Sequence, residues 1–194
     1  MKEKITEASI SLFEQKGFST TTIQDIADSI GATKGTFYYY FKSKEQLLKE
    51  IHLEYIIDLL KRQEAIVNDS TSNKEKLHAV IEMLIGDIRK NGPRGRVFFR
   101  EIRHLAEENI RIIKKERDRY RLNIESIIRS GIAAGEFKPN LRSDMVAFAV
   151  LGMANYSYNW FQPDGEVEPS ELAAIYTSLV LGGIVKENGT PENH

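Results

Sequence analysis

The chain has 194 residues, no cysteine and a formal net charge of −1 at neutral pH. The lack of cysteine excludes disulfide bonds, zinc fingers and thiol catalysis. A hydrophobic content of 41% is sufficient for a core, and no apolar run of membrane length and no signal peptide is visible, so we expect a soluble cytoplasmic protein.

Apolar residues recur at helical spacing along the chain, and we find no strand pattern, internal repeat or low-complexity segment. We therefore predict an all-α fold of about nine helices. Three form an N-terminal head (residues 1–46), and six form a C-terminal body (residues 47–194). The predicted helices span residues 3–16, about 23–30, 33–40, 43–67, 74–90, 94–107, 109–134, 143–161 and 169–186, followed by a frayed tail at 187–194.

Residues that favour turns or cap helix ends mark the helix boundaries. Thr21 or Thr22 can cap the second helix, each with a partner three residues on, Gln24 or Asp25. The other boundary signals are Gly17, Gly31, Thr33, Ser43 with Gln46, Asn91-Gly92-Pro93, Gly135 and Pro169.

Residues 20–44 are the segment around which the head is organised. The first of its two short helices has apolar residues at 23, 26, 27 and 30, and Gly31 permits a tight turn. The second helix buries Phe37 and is otherwise polar, and residues 33–44 contain three lysines and no acidic side chain. Two short helices joined by such a turn are typical of a helix-turn-helix.

This segment resembles the TetR family of bacterial transcriptional regulators. The matching residues are Thr22-Ile-x-x-Ile-Ala27, Gly31, Lys34-Gly-Thr-Phe-Tyr-Tyr-Tyr-Phe41 and Lys44-Glu-x-Leu47. The resemblance implies a dimeric repressor that binds a palindromic operator in double-stranded DNA. An enzyme is not expected, since no nucleophile–base pair, phosphate loop or metal cluster is visible.

A helix in the major groove needs hydrogen-bonding side chains for bases, and cations or hydroxyls for phosphates. By resemblance, Lys34 and Tyr39 face bases, and Gly35 lets the backbone approach the DNA. The candidate DNA-binding residues are Thr22, Thr33, Lys34, Gly35, Thr36, Tyr38, Tyr39, Tyr40 and Lys44. The alternative is that the tyrosines pack against the body, but three consecutive tyrosines do not fit on one side of a helix, so we expect at least one to be exposed.

A single head makes few phosphate contacts, so strong binding requires a homodimer. The resemblance implies that the last two helices form a four-helix bundle with their partners. Small residues on these helices allow close approach, although they are equally consistent with internal packing. They are Ala147, Gly152, Ala154, Ala173, Ala174, Gly182 and Gly183, together with the larger Leu172, Ile175, Tyr176 and Leu179.

The body is larger than dimerisation requires, and the resemblance implies that it binds a small hydrophobic ligand. One helical stripe holds Ile113, Arg117, Tyr120, Ile124 and Ile127. Arg117 interrupts this apolar line, and a buried cation needs a partner, either a ligand anion or a carboxylate such as Glu101. The candidate ligand-binding residues are Phe98, Phe99, Ile102, Arg103, Arg117, Tyr120, Met153, Tyr156 and Trp160, and the alternative for each is plain core.

Residues 89–129 carry thirteen basic and six acidic side chains, a net charge of +7. An apolar slot with an arginine-rich mouth suits a long-chain acyl-coenzyme A, with the tail inside and the phosphates outside. The loop 159–165 also resembles the break between the last two helices in TetR-type regulators of lipid and acyl-coenzyme A metabolism. The arginines are Arg94, Arg96, Arg100, Arg103 and Arg111.

Two alternatives to an acyl-coenzyme A sensor remain open. One is an efflux-type repressor that senses a hydrophobic drug or dye. The other is a DNA-binding protein without small-molecule input, which a fully packed body would favour. The histidines at 52, 78, 104 and 194 have no metal-binding spacing, and we expect no metal and no cofactor beyond the effector.

Overall fold

The computed structural model of the protein describes residues 1–185. Over this range the chain is all-helical, as predicted, with eight α-helices and two short 3-10 helices, Ile102–His104 and Ser157–Asn159. The predicted helix end near Lys186, the tail at 187–194 and His194 lie outside the described residues. The α-helices are α1 (Lys2–Lys16), α2 (Ile23–Ser29), α3 (Lys34–Tyr40), α4 (Lys44–Val67), α5 (Asn73–Arg100), α6 (Glu107–Ala133), α7 (Ser143–Tyr156) and α8 (Pro169–Ile184).

The first helices begin and end at the residues that the sequence marks. α1 ends before Gly17, whose φ of 86° lies in the left-handed region. Of the two candidate caps of α2, the structure uses Thr22. Its hydroxyl accepts the Asp25 N–H at 3.0 Å, and the Asp25 carboxylate accepts the Thr22 N–H at 2.7 Å. Gly31, with φ 65°, makes the turn toward α3.

Phe37 anchors α3 in the protein. It is the buried residue of this helix, at 1% exposure, and its ring centroid lies 5.6 Å from that of Phe41. Phe13 and Phe18 are also buried, with ring centroids 5.1 Å apart. Burying a ring of this size contributes about 1.5–3 kcal/mol. Phe37 therefore fixes which side of α3 faces solvent.

α5 contains the break predicted at Asn91-Gly92-Pro93, although the helix resumes after it. Asn91 has φ −129° and ψ 22°, which is not helical. A proline in a helix interior lacks an N–H and clashes with the preceding turn, and the kink at Asn91 lets the chain accommodate Pro93. The helix predicted at 94–107 ends early, at Arg100, and is followed by the 3-10 helix Ile102–His104 and by the extended, buried Leu105.

The helix predicted at 143–161 also ends early, at Tyr156. The Ser157 hydroxyl donates to the Met153 carbonyl at 2.9 Å and lies 2.9 Å from the Tyr176 hydroxyl. Such side-chain bonds compete with regular helix geometry, and a 3-10 turn follows. Pro169 is the first residue of α8, as predicted.

By their internal contacts, the residues form two compact units. The first unit comprises residues 1–60 and 91–117, and the second comprises residues 61–90 and 118 onward. The helix-turn-helix thus shares a unit with the start of α4, the end of α5 and the start of α6. The predicted domain boundary between residues 46 and 47 stays a prediction. Within residues 1–185, every helix is too short or too polar to cross a membrane.

Candidate nucleic-acid interface and small-molecule site

The exposed side of α3 is the candidate DNA-binding surface. Tyr39 is 81% exposed and Tyr38 is 54% exposed, and Lys34 and Gly35 are exposed beside them. We call these four residues the recognition face. For Tyr38 and Tyr39, this exposure removes the alternative that they pack into the core.

Tyr40, the third consecutive tyrosine, has a different role from its neighbours. It is only partly exposed, and its ring stands edge-on to that of Tyr39, with centroids 4.9 Å apart and an interplanar angle of 83°. This edge-to-face arrangement is a favourable aromatic contact. Tyr40 therefore supports the Tyr39 ring from one side and limits the orientations that Tyr39 can adopt.

The predicted threonines lie at helix caps. Thr33 accepts the Thr36 N–H at 3.2 Å, and the two hydroxyl oxygens are also 3.2 Å apart. Thr22 holds the capping box of α2 and is exposed. In each cap the threonine oxygen acts as an acceptor, which leaves its O–H able to donate to a phosphate. Their DNA contacts stay a prediction.

Lys44 was predicted to hold a phosphate, and the structure gives it a structural role. Its ammonium donates to the carbonyl of Phe18 at 2.6 Å and to the carbonyl of Thr21, and it lies 4.3 Å from the centre of the Phe18 ring. Burial lowers the pKa of Lys44. Two of its three N–H donors are thus used inside the first unit, so a phosphate contact depends on the third.

Charge around the recognition face is positive and partly uncompensated. Lys34 and Lys42 are exposed and form no ion pair among the described residues. Lys16 by contrast lies 2.8 Å from Asp25, and its hydrogen bond is the main cause that lowers the pKa of Asp25 to about 2. Lys34 and Lys42 are therefore available for an anion such as the DNA backbone.

Replacing Gly35 with alanine is expected to stabilise the free protein yet weaken DNA binding. A Cβ at this position would meet only the Thr33 hydroxyl, at 3.5 Å. Alanine favours a helix over glycine by about 1 kcal/mol, whereas a methyl group between helix and DNA costs about 1–3 kcal/mol per head. Thermal unfolding and operator titration measure the two effects. A variant that gains stability and keeps full operator affinity would show that Gly35 does not face DNA.

The nine candidate ligand-binding residues are divided between the two units. The first unit holds Phe98, Phe99, Ile102, Arg103 and Arg117, and the second holds Tyr120, Met153, Tyr156 and Trp160. The apolar members of the predicted α6 stripe are buried, since Ile113, Tyr120, Ile124 and Ile127 are each at most 4% exposed, whereas Arg117, expected to be a buried cation, is half-buried.

In the first unit, Phe98 lies between two nitrogen-bearing side chains. The Arg117 guanidinium is 5.5 Å from the centre of the Phe98 ring, and the His52 ring centroid is 5.3 Å from it. Glu101, predicted as a partner of Arg117, lies 3.2 Å from His104. Sequence reasoning missed His52 as a buried group. The sequence feature that could have indicated it is its position, as a polar residue, within the apolar stripe of α4.

His52 is fully buried and neutral at physiological pH. One ring nitrogen, Nδ1, lies 2.9 Å from the Leu48 carbonyl and donates to it, while Nε2 has no hydrogen-bond partner. Burial lowers the pKa of His52 to about 4.

The predicted arginine-rich surface is partly occupied by internal ion pairs. Arg94 pairs with Glu7 and Glu54, and the Arg96 Nε lies 2.8 Å from Glu14. These two arginines join helices of the first unit. The arginines of the predicted set that stay exposed are Arg100, Arg103 and Arg111.

In the second unit, a buried polar network surrounds Asp87, which sequence reasoning also missed. The Asp87 carboxylate is 2.5 Å from Arg62 and accepts the Tyr158 hydroxyl at 2.8 Å. Tyr120 is buried nearby, and its hydroxyl has no hydrogen-bond partner. Burial raises the pKa of Tyr120, so the phenol is neutral and can donate.

Replacing Tyr120 with phenylalanine is expected to stabilise the free protein by about 1 kcal/mol, because it removes a buried hydroxyl without a partner. The matched change Tyr158→Phe removes a formed bond to Asp87 and is expected to destabilise by about 1–3 kcal/mol. Urea unfolding of both variants tests the opposite signs. A clear loss of stability in Tyr120→Phe would mean that the hydroxyl is satisfied in solution.

Tyr156 and Trp160 lie on the surface of the second unit, at 67% and 49% exposure, and Met153 is half-buried. Rings that are exposed to solvent do not line an enclosed cavity within this unit. Their assignment to a ligand-binding wall therefore stays a prediction.

α7 and α8 together carry an exposed apolar surface. On α7 it consists of Met145, Phe148, Gly152 and Tyr156, which recur at helical spacing, and on α8 of Ala174, Ile175, Leu179 and Gly182. We call it the α7–α8 face. The small residues Ala147, Ala154 and Ala173 are buried, as is Leu172, so they serve internal packing. The structure thus divides the predicted interface residues into an inner and an outer set.

Residues 5–51 match the family described as bacterial regulatory proteins, tetR family. Residues 70–184 match the family described as tetracyclin repressor-like, C-terminal domain. Together these two matches cover most of the chain.

Three individual proteins extend this similarity. The transcriptional repressor KstR2 of Mycolicibacterium smegmatis is 27% identical over 189 residues, which are 97% of this chain and 92% of that protein. The regulator PfmR from Thermus thermophilus is 32% identical, with a TM-score of 0.86 over 92% of this chain and 97% of its own. AibR, solved with isovaleryl coenzyme A and operator DNA, is 27% identical, with a TM-score of 0.82 over 92% of this chain and 96% of its own.

Proposed function

Because the chain belongs to the TetR family of DNA-binding transcriptional repressors, we propose that it acts in the cytoplasm as a homodimer whose operator affinity is modulated by a small hydrophobic ligand. The ligand class that we favour is an acyl-coenzyme A thioester. The main support for the proposal is the orientation of α3, which buries Phe37 and leaves Tyr39 of the recognition face 81% exposed.

DNA recognition follows from the chemistry of that face. Lys34 supplies a cation for a base edge and Lys42 supplies one for phosphates, and Tyr38 and Tyr39 supply hydroxyls and flat rings at the exposed surface. No acidic side chain lies between residues 33 and 44 to repel a phosphate backbone. A duplex major groove accepts an α-helix of this size.

Dimerisation is supported by the α7–α8 face. Leu179 is 64% exposed and Ile175 is 45% exposed, one turn apart on α8. A soluble monomer rarely leaves a large apolar surface uncovered. The exposed Gly152 and Gly182 would each have open space around an added Cβ, so a second helix can approach closely there. A two-fold contact would bring both copies of this face together and present two recognition faces to a palindrome.

An acyl-coenzyme A ligand is supported by one group of residues and by one relative. Arg100, Arg103 and Arg111 are exposed cations suited to the phosphates of coenzyme A. AibR, which is similar to this chain over nearly its whole length, binds isovaleryl coenzyme A.

Selection of binding sites from a random duplex library, followed by native mass spectrometry, tests the proposal. We expect an enriched inverted repeat, a two-subunit species, and a change in operator affinity on adding palmitoyl-coenzyme A but not coenzyme A or palmitate alone. Enrichment of no sequence would contradict the repressor. A response to hydrophobic dyes and not to the thioester would support an efflux-type sensor instead.

A further inference from the structure

From the chemistry of the recognition face, we infer that each half-site is read through one guanine and one thymine, by Lys34 and Tyr39 respectively. This inference rests on the proposed operator binding and specifies which bases the protein distinguishes.

The positions of the side chains on α3 restrict which of them can reach bases. Gly35 and Tyr39 lie two residues before and after Phe37, and therefore about 200° around the helix axis from it. Because Phe37 is buried, these two positions point most directly away from the protein. Gly35 presents only backbone, which leaves Tyr39 at the centre of the face. Lys34 is exposed at the first residue of α3, about 140° around the helix axis from Tyr39.

The chemistry of α3 excludes several kinds of base recognition. Adenine is read in the major groove by asparagine or glutamine, and cytosine by a carboxylate. α3, with the sequence KGTFYYY, contains neither amide nor carboxylate side chains. Its threonine, Thr36, has its hydroxyl 3.2 Å from the Thr33 hydroxyl.

The polar side chains next to α3 are engaged elsewhere. Gln24 donates to Asp28 at 2.6 Å, and Asp25 accepts from Lys16 and from the Thr22 backbone. Gln46 accepts the Lys42 N–H at 2.8 Å. These bonds hold the neighbouring amides and carboxylates in contacts within the protein. Tyr38 is exposed too, but its ring stands edge-on to that of Phe37, with centroids 5.7 Å apart, whereas Lys34 and the more exposed Tyr39 have no such contact with Phe37.

Each of the two side chains fits one base. A lysine ammonium donates to O6 and N7 of guanine, which are adjacent acceptors in the major groove. An aromatic ring makes an apolar contact with the 5-methyl group of thymine. The Tyr40 ring, whose centroid is 4.9 Å from that of Tyr39, restricts the orientation of the Tyr39 ring and so favours this contact.

The two side chains approach the DNA from different positions on α3. Lys34 and Tyr39 are five residues apart, which is about 7.5 Å along the helix axis and about 140° around it. We therefore expect the guanine and the thymine to belong to different base pairs of the half-site.

Base analogues placed in the selected operator test the inference. Replacing the guanine with 7-deazaguanine removes N7, and replacing the thymine with deoxyuridine removes the methyl group. We expect each change to weaken binding by about fivefold or more. The guanine penalty should vanish in Lys34→Ala, and the thymine penalty in Tyr39→Ala, while Tyr39→Phe, which keeps the ring, should retain the thymine penalty.

Lys42→Ala serves as the matched control for Lys34→Ala. It should weaken binding to all sequences alike, lower the salt dependence of binding, and leave both analogue penalties unchanged. An enriched inverted repeat without this guanine and thymine, or penalties that persist in the alanine variants, would overturn the base assignment while leaving the repressor proposal intact. Failure to enrich any repeat would overturn both.

Discussion

Tyr39→Ala is expected to lower the affinity of the protein for its operator by about a hundredfold, because a dimer loses two base contacts worth about 1–2 kcal/mol each. Tyr39 is 81% exposed, so its truncation removes little packing. The effect should therefore fall on sequence-specific binding and spare the fold. Fluorescence anisotropy with a labelled operator measures the affinity, and circular dichroism with a thermal melt measures the fold.

Two comparisons make the Tyr39 result interpretable. Binding to a scrambled duplex should fall much less than binding to the operator, since phosphate contacts provide most of the non-specific affinity. The Tyr39→Phe variant should keep most of the affinity because it retains the ring. Equal operator affinity of Tyr39→Ala and the unmodified protein would show that the recognition face does not contact bases.

Leu179→Glu is expected to convert the protein into a monomer with little affinity for its operator. Burying a leucine contributes about 1.5–3 kcal/mol, and a two-fold interface contains the residue twice. The substitution would remove both contributions and bring two carboxylates into an apolar contact. Because a single head neutralises fewer phosphates than two, operator affinity should collapse at moderate salt.

Ile57→Glu provides a control of matched chemistry outside the α7–α8 face. Ile57 lies on α4 and is 54% exposed, similar to the 64% of Leu179. Sedimentation velocity should report a dimer for Ile57→Glu and a monomer for Leu179→Glu, with the helical signal of both unchanged. A dimeric Leu179→Glu would assign the subunit contact to another surface.

The elements of the fold follow from local signals that act within a few residues. Gly17 and Gly31 adopt positive φ where the sequence requires a turn, and Pro169 begins α8. The capping box of Thr22 and Asp25 likewise joins residues three apart. Such features are predictable because the partners are neighbours in sequence. The exposed positions of Tyr38 and Tyr39 follow from the same reasoning, since Phe37 occupies the buried side.

The buried polar groups could not be predicted because their partners are distant in sequence. Asp87 lies in the apolar stripe of α5, and its contacts with Arg62 and Tyr158 span 25 and 71 residues. No neighbouring residue in the sequence distinguishes Asp87 from an acidic side chain exposed to solvent. The same holds for Ala147 and Gly152, which the family resemblance assigned to one interface. The first packs inside and the second is exposed.

The contact of Lys44 with the Phe18 carbonyl closes a loop of 26 residues that contains all of α2 and α3. A loop whose two ends are held together has fewer conformations than an open one, and the entropic cost of closing it arises during folding. The two helices of the DNA-binding motif are thus tethered at both ends to one point, the first residue of α4. A displacement of that residue would carry the whole loop with it as one piece, rather than bending the motif internally.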